Sequence, residues 1–251
     1  MPRIIVNADD FGWDENRTCA ILQAYKLGLI HTTTAMPNMP WFDHAIEMAK
    51  ETGLAEHVGL HLCLTEGRPL TEHIRKCPRF CDAEGNFNKV FHLSLRTRLK
   101  ISLEESRAVA EETTAQMEKF RAAGLSWMHL DSHHHSHTDW SIARVVMPIA
   151  RKMGFKSVRR ARDLGSGMSL FNRIYKVFIN RYLKNSIGLA SDRFGSYLDV
   201  IGFLSTMANQ ETVEMMVHPM YKAGNHFNMA GELLDTDHPM EDVVRLIGYH
   251  I

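Results

Sequence analysis

The 251-residue sequence predicts one α/β domain, spanning residues 1–251, built as an irregular TIM-like (β/α) barrel of about seven βα units. Three observations carry that expectation. Short β-rich runs alternate with amphipathic helical stretches almost from end to end, the pattern of a parallel sheet wrapped by helices. The length suits about seven such units. No glycine-rich dinucleotide fingerprint follows the first strand, which disfavours an open doubly wound sheet.

Ile4 to Val6 reads as a buried strand. Asp14 then caps a helix to about Leu27, with Ala20, Ile21, Ala24 and Leu27 at helical spacing and Gly28 as its stop. Thr-rich Ile30 to Met36 makes a second strand, Asp43 caps a helix through Lys50 that Gly53 ends, and His57 to Leu64 is a third strand. Between Thr65 and Ile101 the rhythm breaks, and a long inserted loop is expected over one rim of the sheet, in the place of a lid. Ser102 and Glu105 are spaced as a capping box for a helix to about Ala123. A strand at Trp127 to Asp131 follows, then a helix from Asp139 to Met153 kinked at Pro148, a strand at Phe155 to Arg159, and a helix between Ser169 and Lys184. Thr212 to Val217 is the last strand, and a final helix is expected around Met240 to Leu246.

Lys and Arg number 29 against 29 Asp and Glu, so neither a nucleic-acid nor a membrane partner is expected, although a local basic patch is compatible with a neutral total. Four unevenly spaced cysteines make no disulfide framework, and the first residues lack the basic-then-apolar form of a leader. A cytoplasmic setting is the expectation. The outlying number is 15 histidines. Histidine is the commonest metal ligand and titrates near neutrality, so placement has to decide what the surplus means.

In a barrel the site lies where strands end, and polar residues should interrupt apolar strands there. Four places do so. The first strand ends in Asn7-Ala8-Asp9-Asp10-Phe11-Gly12, two carboxylates that strict alternation would send in different directions. His61 stands among leucines in Gly59-Leu60-His61-Leu62. His129-Leu130-Asp131-Ser132-His133-His134-His135-Ser136-His137 concentrates imidazoles at another strand end. Met216-Val217-His218-Pro219 places a histidine as the last strand finishes. Taken singly, each is compatible with a turn cap or a satisfied core histidine; four on separate strands point to one rim.

These four signatures, with Leu64-Thr65-Glu66-Gly67, resemble the YdjC-like family of carbohydrate deacetylases, which includes chitooligosaccharide deacetylases and is similar to the wider polysaccharide deacetylases. The resemblance implies an irregular barrel and one divalent metal ion held by Asp10, His61 and His133. It implies Asp9 as general base and His218 as proton donor. Arg159 would be a charge partner for the base or a substrate contact, and His135 and His137 would touch substrate or replace His133. The resemblance implies Mg2+, whereas two imidazoles and one carboxylate prefer Zn2+ or Co2+ on ligand softness. Ser136 departs from the common His-Val-His ending.

The expected activity is hydrolysis of the acetamide of an N-acetylated sugar or short oligosaccharide. A metal phosphoesterase using Arg159 and Arg160 for phosphate, and a catalytically inactive relative that binds metal or carbohydrate, are the rival readings. Trp13, Trp41, Trp127 and Trp140 are candidates to stack on sugar rings. A homodimer would suit such a barrel, and the basic, apolar helix from Arg173 to Lys184 is either an interface or a solvated face.

Overall fold

A computed structural model describes residues 2–165, 167–222 and 226–229. Its principal sheet has strands β1 (Arg3–Phe11), β2 (Thr32–Ala35), β3 (Val58–Leu62), β4 (His129–Ser132), β5 (Ser157–Val158), β6 (Arg193–Ser196) and β7 (Thr212–Val217). Their spatial order is β5-β4-β3-β2-β1-β7-β6, and every neighbouring pair is parallel. Taken as a circle, that order is the chain order, open only between β5 and β6. The sheet is therefore a curled, incompletely closed α/β barrel. Loop backbone spans part of the opening: the Val158 N–H donates to Gly188 O at 3.0 Å, and the Asp163 and Leu164 N–H groups both reach Phe194 O at 3.2 Å.

Helices α1 (Glu15–Lys26), α2 (Phe42–Thr52), α3 (Glu72–Arg75), α4 (Val90–Leu93), α5 (Leu95–Leu99), α6 (Leu103–Ala122), α7 (Trp140–Lys152), α8 (Leu170–Ile187) and α9 (Tyr197–Phe203) accompany the sheet. Asp14 caps α1 by accepting from the Arg17 N–H at 2.8 Å, and the capping box of α6 closes with both of its bonds between Ser102 and Glu105. Gly53 takes the left-handed conformation that ends α2 (φ 76°). That helix starts one residue before the expected cap: Trp41 is its N-cap and Asp43 lies in its first turn. α7 runs through Pro148 as a single element.

The segment from Thr65 to Ile101 is not a long loop. It holds α3, α4 and α5, and it buries Ile74, Phe80 and Phe91 completely. Two buried polar residues of α6 anchor its start. Glu112 accepts from the Leu70 and Thr71 N–H groups at 3.0 and 2.8 Å, and Gln116 bonds both backbone groups of Cys63. Their partners are backbone groups, which is why the segment shows no hydrophobic period yet is ordered. Besides α9, a strand and a two-stranded ribbon have no counterpart in the sequence pattern. β6 contains Phe194 as its only large apolar residue, and a ribbon of β8 (Met220–Lys222) and β9 (His226–Asn228) follows β7. The expected helix at 240–246 lies outside the described residues.

Candidate active site

The first strand delivers both carboxylates to one cleft because it is not regular. The register of β1 against β2 breaks between Ala8 and Phe11, and Asp10 takes φ 71°. A local bulge of this kind re-aims a side chain, so the divergence that alternation predicts for Asp9 and Asp10 does not occur: both line the same cavity, of about 490 Å3. Gly12 (φ +82°) completes the turn, where a Cβ would stand 3.0 Å from the Phe42 Cα.

Strand register supplies the next contact. His61 on β3 pairs with Asp131 on β4, and the His61 Nδ1 lies 2.7 Å from Asp131 Oδ1, while Thr34 Oγ1 donates to Asp131 Oδ2 at 3.0 Å. With Nδ1–H given to that carboxylate, Nε2 faces the cleft as a free donor atom. It lies 3.3 Å from Asp10 Oδ1, and His133 Nδ1 lies 2.9 Å from the same oxygen. Both Nε2 atoms, of His61 and His133, are buried without a hydrogen-bond partner. Ligand atoms of Asp10, His61 and His133 lie within 4.8 Å of one another. An orphaned imidazole nitrogen on each histidine and a carboxylate between them form a donor set that fits a divalent cation.

The electrostatics follow from these contacts. Burial alone would raise the Asp10 carboxyl, but the charge and hydrogen bond of His133 and the nearby His61 ring hold it well below its ordinary range. Burial would lower His61, but the Asp131 charge and hydrogen bond and the Asp10 carboxylate 3.3 Å away push it up to about 10.

Behind the cleft lies a guanidinium shared by three carboxylates. Arg159, which follows β5, is 0% exposed. It grips Asp9 with two parallel bonds of 2.7 Å, reaches Asp131 Oδ2 at 2.8 Å, and gives Nε–H to Glu214 Oε1 at 2.6 Å. Its face lies on the Phe194 ring at 4.7 Å, so the otherwise featureless β6 supplies the apolar floor. One cation cannot balance three buried carboxylates. Burial drives Glu214 up to about 7 despite Arg159, with Asp131 and Asp9 adding to the rise. Its Oε2 has no partner.

These positions separate the three residues expected to meet substrate. Arg159 is wholly buried and committed to Asp9, Asp131 and Glu214, so it does not line the cavity. His137 is also wholly buried, with Nδ1 2.7 Å from Ser132 Oγ and Nε2 2.9 Å from Arg159 O. Both ring nitrogens are occupied, which removes it as a ligand or substrate contact. His135 alone of the three lines the cavity, with its Nδ1 buried and unpartnered. His134 and His135 adopt φ of 51° and 55°, a pair of left-handed residues in the 3-10 turn after β4. Strain of this sort persists where the surroundings over-determine it. The turn ends the extended alternation after Ser132 and so splits the imidazoles: His133 meets Asp10, while His134 Nδ1 lies 2.9 Å from Thr65 Oγ1.

Half-buried His218 lines the same cavity, its N–H bonded to Met229 O at 3.1 Å. Of the four tryptophans, Trp13 belongs to the cavity wall, edge-on to His133 at 4.9 Å. Trp127 stacks on His129, and Trp140 packs with Phe178 and Tyr182. Glu66, Lys89 and His92 complete the rim from the anchored segment. The sequence reading missed Glu214 and the rim residues. The visible signal for Glu214 was a lone carboxylate inside an apolar strand.

Comparison with known proteins adds an independent line. The family model described as YdjC-like protein matches residues 3–244. The chain belongs to the YdjC-like family. Among its relatives, a carbohydrate deacetylase of Geobacillus stearothermophilus is 34% identical over 229 residues, covering 88% of this chain and 81% of the relative. A carbohydrate deacetylase of Brevibacillus brevis is 30% identical over 226 residues, covering 87% and 82%. A solved structure from Enterococcus faecalis V583, named for a suggested role in cellobiose-phosphate cleavage, superposes with a TM-score of 0.70 at 25% identity, covering 98% of this chain and 94% of its own. The incompletely closed barrel is thus shared with that structure.

Proposed function

We propose that this YdjC-like protein is a metal-dependent carbohydrate deacetylase, hydrolysing the acetamide of an N-acetylated sugar or short oligosaccharide. The observation that carries the reading is the cluster of Asp10, His61 and His133, with two buried imidazole nitrogens free of partners, beside the rigidly held Asp9. The deacetylase relatives support the substrate class.

Amide hydrolysis needs an activated water, a stabilised oxyanion and a protonated leaving amine. A divalent ion held by Asp10, His61 and His133 would supply the first two needs, making water more acidic and polarising the acetyl carbonyl. Asp9 takes the proton of the attacking water on a carboxylate oxygen, and Arg159 with Asn7 fixes the orientation of that carboxylate. His218 gives a proton to the departing sugar nitrogen. Trp13 forms an apolar wall suited to a sugar ring, and His135 lines the same cavity as a substrate contact. On ligand softness the site prefers Zn2+ or Co2+ to Mg2+.

The phosphoesterase alternative needs free cations for phosphate. Arg159 is spent on Asp9, Asp131 and Glu214, and Arg160 pairs with Asp163. Among the cavity residues, Arg17 pairs with Asp14 and Lys89 with Glu66. Acetate release from N-acetylglucosamine oligomers, lost with chelator and restored by added Zn2+, Co2+ or Mg2+, is the expected result. Phosphate release from a model ester, with no acetate from a broad panel of acetylated sugars, would sink the reading.

A further inference from the structure

Two segments of the chain break the rule that large apolar side chains turn inward. Of the twelve large hydrophobic residues exposed among the described residues, five lie between Val90 and Leu103 and five between Leu170 and Phe178. On α8 the outward stripe runs Leu170, Ile174 and Val177, which are 73%, 61% and 71% exposed, and ends in the cations Arg181 and Lys184. On α4 and α5 the exposed residues are Val90, Leu93, Leu95 and Leu99.

The segments flank one corner of the molecule. Arg98 of α5 binds Asp139 Oδ1 at 2.5 Å, and Tyr175 of α8 donates to Thr138 O at 2.8 Å and accepts from the Trp140 N–H at 2.9 Å. Arg98 also lies close enough to bear on the ionisation of both Tyr175 and Lys176. The corner adjoins the cleft, because Lys89 and His92, at the start of this apolar run, line it.

Charge selects the occupant. Residues 89–100 and 170–187 carry eight Lys and Arg and no Asp or Glu, in a chain whose totals balance at 29 and 29. Lys89 and Arg98 pair with Glu66 and Asp139, but exposed Arg96, Lys100, Arg173, Arg181 and Lys184 have no carboxylate partner among the described residues. A symmetric pairing of two copies through this face would set cation against cation. No described helix is long and apolar enough to cross a membrane. Exposed aliphatic and phenyl groups intermixed with cations match instead the interface of an anionic bilayer, which accepts apolar side chains at headgroup depth and attracts the basic ones. We propose that α4, α5 and α8 form a docking face for an anionic phospholipid surface, holding the cleft beside the membrane.

The test is co-sedimentation of the full chain with phosphatidylcholine vesicles containing phosphatidylglycerol, against pure phosphatidylcholine. Binding should favour the anionic vesicles and weaken as salt rises. It should fall about five-fold for each of Arg181→Ala and Lys184→Ala, and by more in the double variant Ile174→Glu, Val177→Glu. None of these residues lies in the cleft, so acetate release from a soluble oligomer stays unchanged and reports intact folding. Failure to bind anionic vesicles, equal binding to both vesicle types, or a solution dimer dissociated by Ile174→Glu and Val177→Glu would each overturn the proposal. Sedimentation needs no turnover, so vesicle binding without acetate release would count only against the deacetylase reading.

Discussion

Replacing Arg159 with methionine isolates what the buried guanidinium does. The side chain is 0% exposed and its three carboxylate partners, Asp9, Asp131 and Glu214, are at most 3% exposed, so solvent cannot take over its task. Glu214, with its pKa near 7, already shares a proton at neutrality, and His61 still neutralises Asp131 at 2.7 Å. The load therefore falls mainly on Asp9, which loses both of its 2.7 Å bonds to Arg159 and keeps only Asn7. Stranding one buried charge of this kind costs about 3–5 kcal/mol, out of a total stability on the order of 5–15 kcal/mol. The variant's penalty has a definite pH dependence. Carboxylates stranded in the folded state bind protons more readily than in the unfolded chain, so the variant recovers stability as pH falls. Urea unfolding at about pH 8 and about pH 5 should show the larger loss at the higher pH. A loss within about 0.5 kcal/mol of zero, or one equal at both pH values, would refute the assignment of Arg159 as counter-ion. Arg159→Lys keeps the charge but not the two-pronged grip, so it should retain more stability yet lose roughly a hundred-fold in kcat through a misplaced Asp9.

Glu214→Gln should be tolerated at neutral pH and should flatten the pH dependence of stability. The wild-type carboxyl is raised from 4.5 to about 7 on folding, so folded protein binds the extra proton and stability falls as pH rises between those values, by at most ~3 kcal/mol, a slope the glutamine removes. A steeper slope in the variant, read by urea titration across that range, would contradict this. His133→Ala should abolish binding of Zn2+ in calorimetry, whereas His218→Ala should leave it intact and lower kcat; equal metal affinity in both variants would reverse the proposed roles. Ser136→Ala should stabilise the chain by up to about 1 kcal/mol, because Oγ is buried with no partner, and a thermal scan showing clear destabilisation would point to an overlooked bond. Trp13→Ala should raise KM for an oligosaccharide several-fold, in keeping with an aromatic contact of about 0.5–1.5 kcal/mol, with little change in bound metal.

The elements legible from sequence were those with a local cause. Asp14 and the Ser102–Glu105 box announced their helices because capping is a contact within one turn. β7 was readable to the residue, as an apolar run interrupted only by Glu214 and stopped at His218-Pro219. The segment from 65 to 101 was misread because Glu112 and Gln116 of α6 hold its start across the fold, and no local pattern encodes that. β6 escaped for a related reason: Phe194 is its one large apolar residue, and its importance lies in meeting Arg159 at a distance of 35 positions along the chain.

Sequence by itself determined the chemistry available at the rim: Asp9, Asp10, His61, His133 and His218 stand at strand ends whatever the details of packing, because alternating βα units put every strand's carboxyl end on one side. Tertiary structure decided which of those groups meet. The kink at Asp10 turned two diverging carboxylates into one cavity, and the left-handed pair His134 and His135 gave His133 to Asp10 while burying His137 against Ser132 and Arg159. It also separated what composition had averaged, since a chain with no net charge gathers eight cations and ten exposed apolar side chains into two stretches flanking one corner. The reason is common to all three: a backbone angle, a strand register and the burial of a charge are settled by atoms far apart in the sequence, and a one-dimensional pattern carries none of those distances.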